Sequence, residues 1–241
     1  MKLIIGNQKS YMNSGTVDEF IQGSLSIIND DNIIICPSSI YLERFKNTPF
    51  LLGSQNVSNY PNGSSTGELS AEQLKSIEIS YAIVGHSERR QNQHETNEDI
   101  NIKIKNLLDY GITPILCVGE SKTDRDQNRY KDILLTELNQ GLKNLSTESV
   151  NKVIVAYEPI WAIGTGIIPT NDEIEEVAKY IKEIIKRDYN CDIKLIYGGS
   201  VNEKNVDLLN KIDNIDGYLI GGASTKIEAF KEIIKKCQNQ N

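Results

Sequence analysis

Residues 157–166 read Tyr157-Glu158-Pro159-Ile160-Trp161-Ala162-Ile163-Gly164-Thr165-Gly166. A single carboxylate stands there directly after the apolar run Val153-Ile154-Val155-Ala156 and directly before a segment that ends in glycines. A short β-branched run of that kind is the pattern of a strand buried on both faces, so Glu158 is expected where a strand runs out into a loop. The chemistry this suggests is proton transfer by a carboxylate base beside a movable lid formed by Pro159, Ile160, Trp161, Ala162, Ile163, Gly164, Thr165 and Gly166. His86 is the second candidate. It precedes the polar, helix-starting run Ser87-Glu88-Arg89-Arg90, where the positive end of a helix dipole is expected to depress its pKa and keep the imidazole neutral. A neutral imidazole can donate a hydrogen bond to a developing oxyanion. His94, among Gln91, Asn92, Gln93 and Glu95, reads as solvated surface.

Those residues need strands to hold them. Apolar runs at residues 3–6, 33–36, 50–54, 81–84, 115–118, 153–157, 194–197 and 218–220 make eight candidate strands. Between the sixth and seventh, Ile174, Val177, Ala178, Ile181, Ile184 and Ile185 fall at spacings of three and four, which puts one apolar stripe on a helix. Thr170 with Glu173 makes a capping box at its start. Ile100, Ile104, Leu107 and Leu108 repeat the pattern up to Gly111, and Ile227, Phe230, Ile233 and Ile234 repeat it near residue 241. Strand–helix alternation means parallel strands joined by right-handed crossovers, closed as an open doubly wound sheet or as an eight-stranded barrel. Eight units in 241 residues favour the α/β eight-stranded parallel (β/α)8 barrel, with residues 1–241 as one domain.

The polar segments follow strand ends. After the first comes Gly6-Asn7-Gln8-Lys9, after the fourth Gly85-His86-Ser87-Glu88, after the fifth Cys117-Val118-Gly119-Glu120, and after the sixth Glu158. After the last two come Gly198-Gly199-Ser200 and Gly221-Gly222-Ala223-Ser224, each read as opening a helical pattern. In a barrel all of them converge at one mouth. Either glycine pair alone is an ordinary tight turn. Their joint occurrence at the seventh and eighth units points to a phosphate seat made of backbone N–H groups.

A net charge of −7 argues against tracking a nucleic acid or binding an anionic membrane, so an anionic ligand needs a local positive site. Cys36, Cys117, Cys191 and Cys237 have no paired spacing of the metal or redox kind and read as buried apolar residues. The start Met1-Lys2-Leu3-Ile4-Ile5-Gly6 is too soon interrupted for a signal segment, and no apolar run approaches the roughly 18 residues of a membrane span. A cytoplasmic protein is expected.

Across the whole chain these strings resemble the triosephosphate isomerase family: Asn-x-Lys, Val-Gly-His-Ser-Glu-Arg-Arg, Ala-Tyr-Glu-Pro-Ile-Trp-Ala-Ile-Gly-Thr-Gly, Tyr-Gly-Gly-Ser and Gly-Gly-Ala-Ser, in the family's order and after the right strands. The resemblance implies interconversion of dihydroxyacetone phosphate and glyceraldehyde 3-phosphate through an enediolate, in glycolysis and gluconeogenesis, without metal or organic cofactor. It implies Glu158 as base, His86 as neutral electrophile, Lys9 as fixed positive charge with Asn7 beside it, and Glu88 as the partner that holds Lys9. Phosphate donors carried over are the backbone groups of Gly164, Ser200, Gly221 and Gly222, so that phosphate binding and lid closure are one event. Ile163 and Leu219 would shut an apolar clamp over the base.

The chain departs from the family at two places. Gln8 stands where an aromatic is usual and is expected to face away from the site. At the C-terminal hinge of the lid, Ile167-Ile168-Pro169 replaces a Lys-Thr-Ala-like triplet. In the resembling proteins the tyrosine matching Tyr197 bonds a hinge N–H when the lid is shut, and Pro169 has none. Closure is therefore expected to lean on Ile163, Gly164 and Ser200. The stretch 59–68 resembles the loop by which the family forms homodimers, Thr66 reaching the partner's site near Asn7. Two other readings stand beside this one. A different phosphosugar enzyme, such as an aldolase, needs a lysine within a strand for a Schiff base, and Lys194 lies at the wrong end of its strand. A non-catalytic phosphate-binding barrel would most naturally have lost Glu158, His86 or Lys9.

Overall fold

The computed structural model describes residues 2–28, 30, 32–163 and 167–238. Its strands are β1 Leu3–Asn7, β2 Ile33–Cys36, β3 Leu51–Ser54, β4 Tyr81–Val84, β5 Thr113–Val118, β6 Ile154–Tyr157, β7 Lys194–Tyr197 and β8 Gly217–Ile220. They form a closed barrel in sequence order. Every pairing is parallel, and the seam is β1 against β8, with Leu3 opposite Gly217 and Gly6 opposite Ile220. The eight-stranded reading is thus observed.

Alternate strand residues fall into two apolar clusters. Leu3, Ile5, Ile34, Cys36, Ile83, Cys117, Ala156, Ile196 and Leu219 fill the barrel interior, while Ile4, Ile35, Val84, Leu116, Val155, Tyr197 and Ile220 pack outward under the helices. A strand covered on both faces has no polar side, which is why these strands read as unbroken apolar runs. All four cysteines are buried and free. β5 starts two residues before its predicted edge because Pro114 is tolerated at a strand's beginning, where Thr113 still donates to the Ser80 carbonyl at 2.9 Å.

The helices are α1 Ser14–Ser24, α2 Ala71–Ser76, α3 Ser87–Asn92, α4 Asn97–Asp109, α5 Lys122–Asp126, α6 Tyr130–Gly141, α7 Thr147–Val150, α8 Asn171–Tyr189, α9 Val206–Leu209 and α10 Ile227–Gln238. The capping box at Thr170 is present, with the Glu173 N–H donating to Thr170 Oγ1 at 3.2 Å and the Thr170 N–H to Glu173 Oε2 at 2.8 Å. α8 buries the predicted stripe Ile174, Val177, Ala178, Ile181, Ile184 and Ile185. Among the described residues no helix is long and apolar enough to cross a membrane.

One expectation about the glycine turns needs correcting. Gly222 opens a short 3-10 turn, Gly222–Thr225, but no helix follows Gly198-Gly199-Ser200 until α9. Any anion there meets loop N–H groups and gains little from a helix dipole.

Candidate active site

The inward alternation of the strands continues past their ends. Asn7 follows Leu3 and Ile5, and Glu158 follows Ile154 and Ala156, so both are aimed at the barrel mouth. There a cavity of about 350 Å³ is bordered by Asn7, Lys9, His86, Glu158, Ile163, Ser200, Leu219, Gly221 and Gly222. A second cavity of about 650 Å³ shares Asn7, Lys9 and His86 and runs toward Gln55, Glu68 and Glu88. It is the larger, but the smaller one holds the carboxylate and the glycine turns.

Glu158 is buried at 2 % exposure. Its backbone N–H donates to the Val118 carbonyl at 2.8 Å, and its own carbonyl lies against Gly119, where a Cβ would stand 1.8 Å from that oxygen. Only glycine permits this approach of the β5 and β6 ends. Oε2 accepts the Ser87 N–H at 2.8 Å. Oε1 lies 3.0 Å from His86 Nε2, yet the ring N–H is poorly aligned and Oε1 has no good hydrogen bond.

His86 caps α3 and accepts the Glu88 N–H at Nδ1, 3.2 Å away. That bond assigns the imidazole proton to Nε2. The predicted depression of its pKa is not what this arrangement gives. Burial pushes His86 down, but the Glu158 and Glu88 carboxylates opposite it outweigh burial and hold it above its ordinary value. Burial likewise pushes Glu158 up, and His86 with the Ser87 N–H more than reverses it, leaving Glu158 below the usual carboxylate value. Sequence reasoning weighed the helix end and not the carboxylate 3.0 Å away.

Lys9 extends from the end of β1 with φ 49°, a left-handed conformation that costs a non-glycine residue about 1–3 kcal/mol. It is held by its own backbone: its N–H donates to Asn7 Oδ1 at 3.1 Å and its carbonyl accepts from Gln55 Nε2 at 2.9 Å. Its Nζ meets Glu88 Oε1 at 2.5 Å. Gln8 faces away from the cavity as expected, but it is buried and donates to the Ser224 carbonyl at 3.3 Å, tying β1 to the turn after β8. His94 is exposed.

A model of the triosephosphate isomerase family matches residues 2–237. The triosephosphate isomerase of Dictyoglomus thermophilum is 39% identical over 245 residues, covering 97% of this chain and 98% of its own. That of Francisella tularensis subsp. novicida is 40% identical over 244 residues, covering 98% and 96%. This chain belongs to the triosephosphate isomerase family. It is an isomerase.

Of the residues expected in the site, Asn7, Lys9, His86, Glu158, Ser200, Gly221 and Gly222 border the one cavity, and Glu88 reaches it through Lys9. In the segment expected as a lid, Pro159 leads into a 3-10 turn, Ile160–Ala162, and the Ser200 hydroxyl donates to the Ala162 carbonyl at 3.3 Å. Gly164, Thr165 and Gly166, with the phosphate contact expected of Gly164, lie outside the described residues. Three charged groups below the site were given no role from the sequence. Glu120, fully buried, accepts from Trp161 Nε1 at 2.7 Å and the Tyr157 hydroxyl at 3.0 Å. Glu137 accepts the Gly119 N–H at 2.9 Å and faces Arg90 at 3.4 Å. Arg125 lies between Glu120 and α8. Only Glu120 carried a signal, its place directly after the strand-end glycine.

Proposed function

We propose that this chain interconverts dihydroxyacetone phosphate and glyceraldehyde 3-phosphate through an enediolate, with Glu158 as the base. The observation that carries the reading is a buried carboxylate and an imidazole 3.0 Å apart at a cavity that also receives Lys9 and the paired glycines. The substrate phosphate sits at the backbone of Ser200, Gly221 and Gly222, joined by Gly164. Lys9 offsets the dianion and the developing oxyanion. Glu158 leaves the Ser87 N–H, turns into the cavity and takes the proton α to the carbonyl, then returns it to the neighbouring carbon. Once the carboxylate turns, the charge that raised the His86 pKa is withdrawn. The neutral ring then donates its Nε2 proton to the carbonyl oxygen and takes the hydroxyl proton from the neighbouring substrate oxygen, ending as it began, while the Glu88 N–H at Nδ1 disfavours a second proton.

Residues 159–166 close as a lid over the phosphate, with Ile163 and Leu219 excluding water from the base. Residues 1–241 act as one domain, working in the cytoplasm, in glycolysis and gluconeogenesis, as a homodimer whose loop 59–68 brings Thr66 toward the partner's Asn7. No cofactor enters the scheme. Proton–deuterium exchange at carbon 1 of dihydroxyacetone phosphate, with the wild type and Glu158→Gln, tests it. Exchange by the wild type and a loss of about 10³-fold or more in the variant is expected. Exchange surviving in the variant means a different base, and exchange in neither means a phosphate-binding barrel without catalysis. A fully active dilute monomer in ultracentrifugation would remove the homodimer.

A further inference from the structure

Arg125, in the last turn of α5, is 15% exposed and faces both flanks of the segment 159–170. On one side Nη1 lies 3.7 Å from Glu120 Oε1, the oxygen that accepts from Trp161. On the other, Nη2 lies 3.6 Å from Glu173 Oε1 in the first turn of α8. Its guanidinium lies 4.3 Å from the Tyr130 ring centre and 5.7 Å from that of Trp161. Glu173 divides its two oxygens between tasks, since Oε2 accepts the Thr170 N–H and hydroxyl at 2.8 and 3.0 Å while Oε1 is turned to Arg125.

Neither ion pair is closed to hydrogen-bond length. Arg125 Nη1 and Glu120 Oε2 are both buried without a hydrogen bond, an arrangement that is costly at rest and relieved by a small shift of either group. The geometry points to Arg125 as a positioning residue for the isomerisation: set between Glu120, which holds Trp161, and Glu173 at the start of α8, it couples the Trp161 flank to the α8 flank. This rests on the lid reading above.

Glu173→Gln isolates the coupling, because glutamine at that position keeps the capping box and loses only the charge that faces Arg125. The measurement is kcat and KM for glyceraldehyde 3-phosphate and for glyceraldehyde, which has no phosphate with which to draw the lid down, in wild type, Glu173→Gln, Arg125→Ala and Arg125→Lys. Glu173→Gln and Arg125→Ala are expected to lower kcat/KM for the phosphate ester about tenfold, mostly in kcat, with glyceraldehyde within twofold. Arg125→Lys recovers part of the loss, and the double variant is no worse than Arg125→Ala. Equal losses on both substrates, or phosphate-ester activity within twofold of wild type in Glu173→Gln, would overturn the inference. Trp161, the sole tryptophan, gives a readout that does not need turnover: temperature-jump relaxation of its fluorescence with glycerol 3-phosphate bound. A several-fold change in rate in Glu173→Gln supports the coupling and an unchanged rate refutes it, even if the wild type proves not to isomerise triose phosphates.

Discussion

Lys9 and Glu158 border the same cavity from the ends of β1 and β6, and the hydrogen bonding behind them differs. Lys9 is gripped by Asn7, Gln55 and Glu88 through its N–H, carbonyl and ammonium group. Behind Glu158 the bonding is incomplete. Six buried side-chain polar atoms among the described residues lack a hydrogen bond, and four of them, Glu120 Oε2, Arg125 Nη1, Glu158 Oε1 and Tyr197 Oη, lie on the β5–β7 side. Each such atom costs about 1–3 kcal/mol, so this side stands further from its best bonding than the β1 side does. A fixed charge needs a complete shell. In the proposed mechanism the base turns and the lid closes, and both gain from partners still uncommitted.

The sharpest test of that difference removes the fixed charge. Lys9→Met is expected to lower kcat/KM by about 10²–10³-fold with little change in melting temperature, since Glu88 is half exposed and can be resolvated. Activity within tenfold of wild type would mean the grip on Lys9 serves folding instead. Gly119→Ala attacks the other side. A methyl group there meets the Glu158 carbonyl at 1.8 Å and must part the ends of β5 and β6, at a cost on the order of 1–3 kcal/mol, with about a tenfold loss of turnover from the displaced base. Thermal unfolding with steady-state kinetics checks both parts.

A pH series probes the same side. Burial outweighs the pull of Arg90 and of the Gly119 N–H and raises the Glu137 carboxyl from an ordinary 4.5 to about 7. Between those values the folded chain holds more protons at this site than the unfolded chain. Its contribution to stability is therefore complete at acid pH and is lost as pH rises from about 4.5 to about 7. Glu137→Gln is expected to shrink the fall in unfolding free energy between the two ends of that window by up to about 3 kcal/mol, read from denaturant titrations. An undiminished fall assigns it to other groups. The smallest effect belongs to Tyr197→Phe. The Tyr197 hydroxyl is buried without a hydrogen bond and Pro169 has no N–H to give, so kcat should stay within about twofold and stability should not drop. A tenfold loss would show a latch through another donor.

The fold was legible because parallel strands covered on both faces leave unbroken apolar runs, and because Thr170 with Glu173 announces α8 at its first residue. Glu158 and His86 were legible by type and by position after strands, whereas Lys9 was legible only through the family resemblance. The conformation of Lys9 was not, since nothing local distinguishes a lysine at φ 49°. Nor was the role of Arg125, which sits in a five-residue polar helix without apolar periodicity and gains meaning only from Glu120 and Glu173, far off in the chain but close in space. The state of His86 failed for the same reason. Its pKa is set by Glu158, 72 positions away.

The seam of the barrel has a consequence for synthesis. Lys9 follows the first strand by two residues, and its side chain rests on Gly221, where a Cβ would stand 3.4 Å from Cε. Until the ribosome has released the eighth strand, this lysine has no floor beneath it and the sheet keeps two open edges. A nascent chain stalled before residue 217 would therefore be inert however well its first seven strands had paired, and activity would be the last property the protein acquires.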